Sequence, residues 1–203
     1  MFDRGMSVSV SENCGAVLVR GEDGAEWMRI DSEGRSVKLE LFPRNIPESY
    51  VGEAARSVPE LKYNILCEST EVAPECKLFL AKLISSGYGE DSARSSAAWC
   101  IALDIENLTE AFSENMRYSS LPLGGDITAE ASEFFERNGL WEAKRAFVCT
   151  VAPMGEELAL DEYHSKVIEA FDSSASEDCV VFQQLILDKS ITSATLHVLF
   201  GGF

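Results

Sequence analysis

The side chains able to do chemistry in this 203-residue chain are few in kind and widely spaced. His164 and His197 are the two histidines and the only imidazole bases. A hydrolase of the serine type needs a nucleophile, a base and an orienting group, and no G-x-S-x-G elbow accompanies either histidine. His164 lies between Tyr163 and Ser165 and falls on the outer side of a predicted helix. His197 falls in a predicted strand, where alternation turns it away from Leu196 and Val198. The six cysteines, Cys14, Cys67, Cys76, Cys100, Cys149 and Cys179, contain no C-x-x-C pair. Zinc is held by closely spaced ligand pairs, so this scatter does not make a zinc site. Cys67, Cys100, Cys149 and Cys179 lie in apolar runs and read as small buried thiols.

Carboxylates are plentiful. Glu156, Glu157, Asp161 and Glu162 gather ahead of one helix, where negative charge favours the helix dipole. Glu130, Glu133 and Glu136 follow helical spacing and read as a solvated face. Either group has the oxygen ligands a divalent cation would use, but the dipole and solvent account for both. Phosphate binding needs a glycine-rich loop whose backbone N–H groups converge. Gly124-Gly125 and Gly201-Gly202 are isolated pairs. Gly21 to Gly24 sets Glu22 and Asp23 where phosphate would sit, and Gly87 to Gly89 has no cation after it. These read as turns. No catalytic residue, cofactor or metal ligand is expected. Trp27, Trp99 and Trp141 read as packing residues, with Trp27 the partner anchor if one of them stands exposed.

Asp plus Glu number 34 against 17 Lys plus Arg, a formal charge of -17. Such a surface repels phosphate backbones and anionic lipid, so neither nucleic acid nor membrane is an expected partner. The start, Met1 to Met6, carries Asp3 and Arg4 and no apolar stretch, so no signal peptide is expected, and the expected location is cytoplasmic.

The elements that must position these residues are legible in outline. Ser7 to Val10, Ala16 to Arg20, Glu26 to Ile30 and Val37 to Phe42 read as a small antiparallel meander. Pro47 to Val58 reads as a short amphipathic helix and Leu61 to Cys67 as a strand. Pro74 to Ser86 has the apolar spacing of a helix, with Gly87 as its stop. Ser85 to Ser96 is Ser- and Gly-rich and marks the expected domain boundary. Ala97 to Leu103 reads as a strand, Asn107 to Met116 as a helix, and Ser119 to Asp126 as a loop. Thr128 to Asn138 reads as a helix with Ala131, Phe134 and Phe135 inward, ended by Gly139. The last third reads strand (Ala146 to Val151), helix (Leu160 to Phe171), strand (Cys179 to Leu187), a turn at Asp188 to Ser190, and strand (Ala194 to Phe200). The fold class is therefore α/β (α+β): a β-rich part over residues 1–95, then a helix-on-mixed-sheet domain over 96–203.

The stretch CVVFQQLILDKSITSATLHVLFGGF, Cys179 to Phe203, resembles the C-terminal domain of the FtsZ/tubulin superfamily. In that family an apolar strand ends in an acidic turn, and a β-branched strand then closes with a small residue, Gly and Phe. WEAKRAFVCTVAP, Trp141 to Pro153, is similar to the family's strand after an Ala-Lys pair. Further back, ALDIEN (Ala102 to Asn107) resembles the family's entering loop, Asn-x-Asp-x-x-Asp, which reaches the neighbouring subunit's nucleotide and helps position water. Asp104 matches the first Asp. Ala102 replaces the Asn, and Asn107 stands where the second carboxylate belongs, which puts loop-assisted hydrolysis in doubt. The resemblance covers residues 97–203, and the family's GTP-binding domain has no counterpart in the residues before them.

The resemblance implies a non-GTPase relative that serves filament assembly, filament regulation or cell division through protein contacts, with FtsZ-type filaments or a second copy as partner. Asp104, Glu106, Asn107, Leu121, Gly124, Gly125 and Asp126 would carry that contact. Two other classes fit a β-α-β-β ending: a small-molecule-binding module on a ferredoxin-like sheet, and a metal-dependent enzyme using acidic residues.

Overall fold

The computed structural model describes residues 9–13, 15–46, 56–88, 112, 115–153, 163–188 and 190–202. The chain divides into two compact units, Met1–Met116 and Arg117–Phe203. The expected boundary at 95/96, the strand over 97–103 and most of the helices over 47–58 and 107–116 lie outside the described residues.

In the first unit, strands β1 (Ser9–Asn13), β2 (Ala16–Arg20), β3 (Glu26–Glu33), β4 (Ser36–Leu41) and β5 (Leu61–Cys67) pair antiparallel in sequence order. The meander is as expected, except that β1 runs on through Asn13 and β3 through Glu33, beyond their expected ends at Val10 and Ile30. The turn after β1 falls at Gly15, whose φ of 84° suits glycine. Period-two alternation writes the sheet's two faces. Val37, Leu39, Leu41, Tyr63, Ile65 and Cys67 are buried, while Lys38, Lys62, Asn64 and Leu66 between them are exposed. On the outer face Lys62 meets Glu40 across the strand pair at 3.4 Å. Helix α1 (Ala73–Tyr88) packs against the first four strands, with Cys76, Phe79, Leu80 and Leu83 buried at helical spacing. It runs through Gly87 rather than stopping there. Glycine permits a helix to end but does not force it, and an interior glycine costs only about 1 kcal/mol.

Trp27 is a packing residue, as read from the sequence. It is 1 % exposed, so it offers no anchor to a partner. The missing side chain of Gly21 makes its room: a Cβ there would lie 2.7 Å from the indole Nε1. Among the three tryptophans it is Trp141 that stands out, at 59 % exposure; Trp99 lies outside the described residues.

In the second unit the strand order is β6 (Asn115–Pro122), β9 (Thr195–Gly201), β7 (Arg145–Pro153), β8 (Val180–Asp188). β7 pairs parallel with β8 and antiparallel with β9, so the sheet is mixed. Helices α2 (Ile127–Arg137) and α3 (Ser165–Ser174) pack against each other. Their Ile127, Ala131, Phe134, Phe135, Val167 and Phe171 share one core with Val148, Leu185, Leu196, Val198 and Phe200 of the sheet. Asn138 and then Gly139, at φ 69°, close α2 as read from the sequence. β6 was not foreseen: Asn115 and Met116 open a strand instead of ending a helix, and the expected loop begins only after Pro122. The reason is local. Ser119-Ser120 and Pro122 have turn chemistry, but proline is accepted at the end of a strand and Ser119 finds a partner in Asn138, at 2.8 Å. No described helix is long and apolar enough to cross a membrane.

Candidate functional site

Of the seven predicted contact residues, the structure brings four together, on the turn from β6 into α2. Asp104, Glu106 and Asn107 lie outside the described residues. Leu121 is a strand residue, half-buried against the core of the second unit. Leu123 is buried, and its N–H donates to the Ala194 carbonyl at 2.9 Å, tying the turn to the start of β9. Gly124, Gly125 and Asp126 are exposed.

The turn is braced from within. Asp126 is the N-cap of α2, and its carboxylate accepts from the Ala129 N–H at 3.3 Å. Glu130, one turn into the helix, reaches back, and its Oε2 accepts from the Gly124 N–H at 3.3 Å. Gly125 gives it room: a Cβ there would stand 2.6 Å from Glu130 Oε1, and the Glu130 side chain would have to shift. Two carboxylates thus satisfy backbone donors at the positive end of the helix, in the manner of a capping box. At the same end of the sheet, β8 finishes at Asp188, which accepts from the Ser190 N–H and hydroxyl at 2.8 and 2.7 Å. The result is an acidic rim with Gly124, Gly125 and Asp126 exposed and the Asp126 and Glu130 carboxylates engaged by backbone N–H groups. Chemically it can attract a basic or amide-rich surface; it holds no base, nucleophile or metal set. Among the described residues no cluster of His, Cys, Asp or Glu is arranged to hold a metal. The acidic group over 156–162 lies outside them.

His197 is buried and His164 half-buried. Tyr118 Oη and His197 Nδ1 are 2.7 Å apart; the hydroxyl donates when Nδ1 is bare and accepts when it carries the proton. His197 stands opposite Cys149 on β7, and Cys149 stands beside Gln184 on β8. Tyr118, His197, Cys149 and Gln184 therefore form a polar row across four strands, all on the sheet face turned away from α2 and α3. A thiol next to an imidazole is the raw material of a nucleophile. Here His197 directs Nδ1 at Tyr118, and all four groups are buried, which suits a row that fixes strand register. Sequence reading had His197 facing away from Leu196 and Val198, as it does. It missed Tyr118, although Met116 and Tyr118 alternate with Arg117 and Ser119. His164, expected on the outer side of its helix, is half-buried instead: its Nδ1 lies 3.2 Å from Thr150 Oγ1. Burial pushes its pKa below the ordinary histidine value. Cys67, Cys76 and Cys149 are buried and Cys179 half-buried, all as free thiols; Cys14 and Cys100 lie outside the described residues.

No protein-family model matches the sequence, and no curated protein matches it. Solved structures similar to this chain include an FtsZ dimer from M. jannaschii, with TM-score 0.48 and 13 % identity over 66 % of this chain and 38 % of that one. A W319Y mutant of FtsZ from the same organism is similar with TM-score 0.44 and 12 % identity, over 65 % of this chain and 41 % of that one. The chain thus spans about two fifths of the length of the FtsZ chains it resembles.

Proposed function

We propose that this chain is an assembly module that acts on FtsZ-type filaments through protein contacts, and that it does no GTP hydrolysis of its own. The observation that carries the reading is the braced anionic rim at Gly124, Gly125 and Asp126. It is exposed, held rigid by its own caps, and built into the unit whose sequence, Cys179 to Phe203, has the FtsZ-like layout. Rigid, exposed backbone beside fixed charge suits recognition of a partner surface better than it suits chemistry. In filaments of this type the C-terminal domain and its entering loop meet the nucleotide face of the next subunit. A protein with such a surface and no nucleotide face of its own would occupy one filament end and stop further addition. That places it in filament regulation or cell division, with Asp104, Glu106 and Asn107 completing the contact.

Co-sedimentation of the purified chain with FtsZ-type filaments and GTP tests this. The wild-type chain should enter the pellet. Asp126→Asn with Glu130→Gln should weaken that binding while keeping the helix capped, because both amides still accept hydrogen bonds. Asp104→Arg should abolish it without unfolding the protein. Equal pelleting of wild type and both variants would remove the rim and the entering loop from the contact.

A further inference from the structure

Asn138 closes α2 with both ends of its side-chain amide in use. Its Nδ2 donates to the Phe134 carbonyl at 2.8 Å, and its Oδ1 accepts from the Ser119 hydroxyl of β6 at 2.8 Å. Gly139 follows it. Of the six asparagines, Asn13, Asn45, Asn64, Asn107, Asn115 and Asn138, only this one precedes a glycine. An asparagine loses its amide when the next backbone nitrogen attacks its side-chain carbonyl. A glycine there leaves that nitrogen unshielded and its backbone free to turn. We propose that Asn138 is a deamidation site of this chain, held back by the folded end of α2 and released when that end frays.

The fold withholds both reactants. Asn138 has a ψ of -1°, so the Gly139 nitrogen eclipses the Asn138 backbone nitrogen and lies away from the Cβ side, where the ring must close. The Gly139 N–H also donates to the Glu136 carbonyl at 3.1 Å. Attack requires ψ to turn, that bond to break, and the side chain to leave Phe134 and Ser119. All of this happens at a helix end, where opening is easier than in a helix interior. Asn138 and Gly139 are both half-buried, so water reaches them once the turn opens.

The step balances. The Gly139 nitrogen attacks Asn138 Cγ and gives up its proton. The Cγ–Nδ2 bond breaks, ammonia leaves with that proton, and a cyclic imide remains. Water then opens the ring. If the new bond breaks, the product is aspartate. If the original peptide bond breaks, it is the β-linked isomer. The aspartate can still accept from Ser119 but can no longer donate to the Phe134 carbonyl, and its charge stands at the negative end of the helix. The β-linked isomer inserts an extra backbone atom at the cap. Either product weakens the end of α2 and its tie to β6, and water does not reverse the change.

The test incubates the full wild-type chain in mildly alkaline buffer, folded and in urea, and follows each asparagine by peptide mass. In urea Asn138 should convert ahead of the other five. In the folded chain it should again convert first, but about tenfold or more slowly, since three hydrogen bonds must open beforehand. Ser119→Ala removes one of them and should speed the folded-state reaction about two- to tenfold while leaving the rate in urea unchanged. Equal wild-type rates in the two conditions overturn the proposal, as does an Asn138 still intact after another asparagine has converted. That series decides the matter even if Ser119→Ala fails to fold. A folded Ser119→Ala chain that converts no faster than wild type overturns it as well.

Discussion

Along β4 of the first unit every second residue is buried, whereas along β7 of the second unit seven consecutive residues are. The first sheet shows one face to α1 and the other, with Lys38, Lys62 and Asn64, to water. The second carries α2 and α3 on one face, and the residues of its other face, Phe147, Cys149, His197 and Leu199 among them, are buried as well. The same strand geometry therefore gives two different sensitivities to substitution. Along β4 and β5 of the first unit it depends on which parity a residue has. Along β7 of the second it does not depend on parity, because both faces bury apolar area, and of the unit's buried polar residues Ser119, Thr150 and His197 carry hydrogen bonds.

The comparison breaks most directly at large side chains. Phe147→Ala, on the face away from the helices, should cost about 3–5 kcal/mol by urea denaturation, as much as Phe135→Ala in α2. Lys38→Ala, outward on β4, should leave the urea midpoint where it is. A small cost for Phe147→Ala would mean that face tolerates water and the contrast is false. Next in size is the polar row. Tyr118→Phe removes a bond from a buried imidazole and should cost about 1–3 kcal/mol. Then comes the cap: Asp126→Ala should cost about 1 kcal/mol and Asp126→Asn only a few tenths, read from the same curves.

The smallest expected effect is a pH dependence at His164. Its pKa is lowered in the folded chain, so on acidification the unfolded chain takes up this proton first. Its contribution to stability is complete above the unfolded value and is lost as pH falls through it toward the folded one. His164→Gln should flatten that part of the stability profile and leave the plateau at neutral pH in shape. A slope of opposite sign in the wild type would contradict the burial of this ring.

The same contrast explains what could be read from the sequence. Alternation in the first unit made β2 and β5 legible to the residue, and helical spacing exposed the inner faces of α1 and α2. Gly139 marked the end of α2 because its left-handed backbone is one that glycine takes without strain. β6 was lost because its serines and Pro122 are turn formers, and only pairing with β9 reveals why they sit in a strand. Trp27 rather than Trp141 was named as the one that would anchor a partner if exposed, because the burial of Trp27 depends on Gly21, whose contribution is an absent side chain. Of the predicted contact residues, Gly124, Gly125 and Asp126 stand exposed together. The role of Glu130 in bracing them was hidden, since a carboxylate at helical spacing looks the same whether it faces water or reaches back to a cap.

The filament-end mechanism is tested most directly by the length distribution of FtsZ-type filaments, imaged with GTP at increasing substoichiometric amounts of this chain. A module that occupies one end shortens filaments in proportion to its number while polymer remains, and Asp126→Asn with Glu130→Gln shortens them less. Filaments of unchanged length across the series, with wild type and variant alike, would contradict the account.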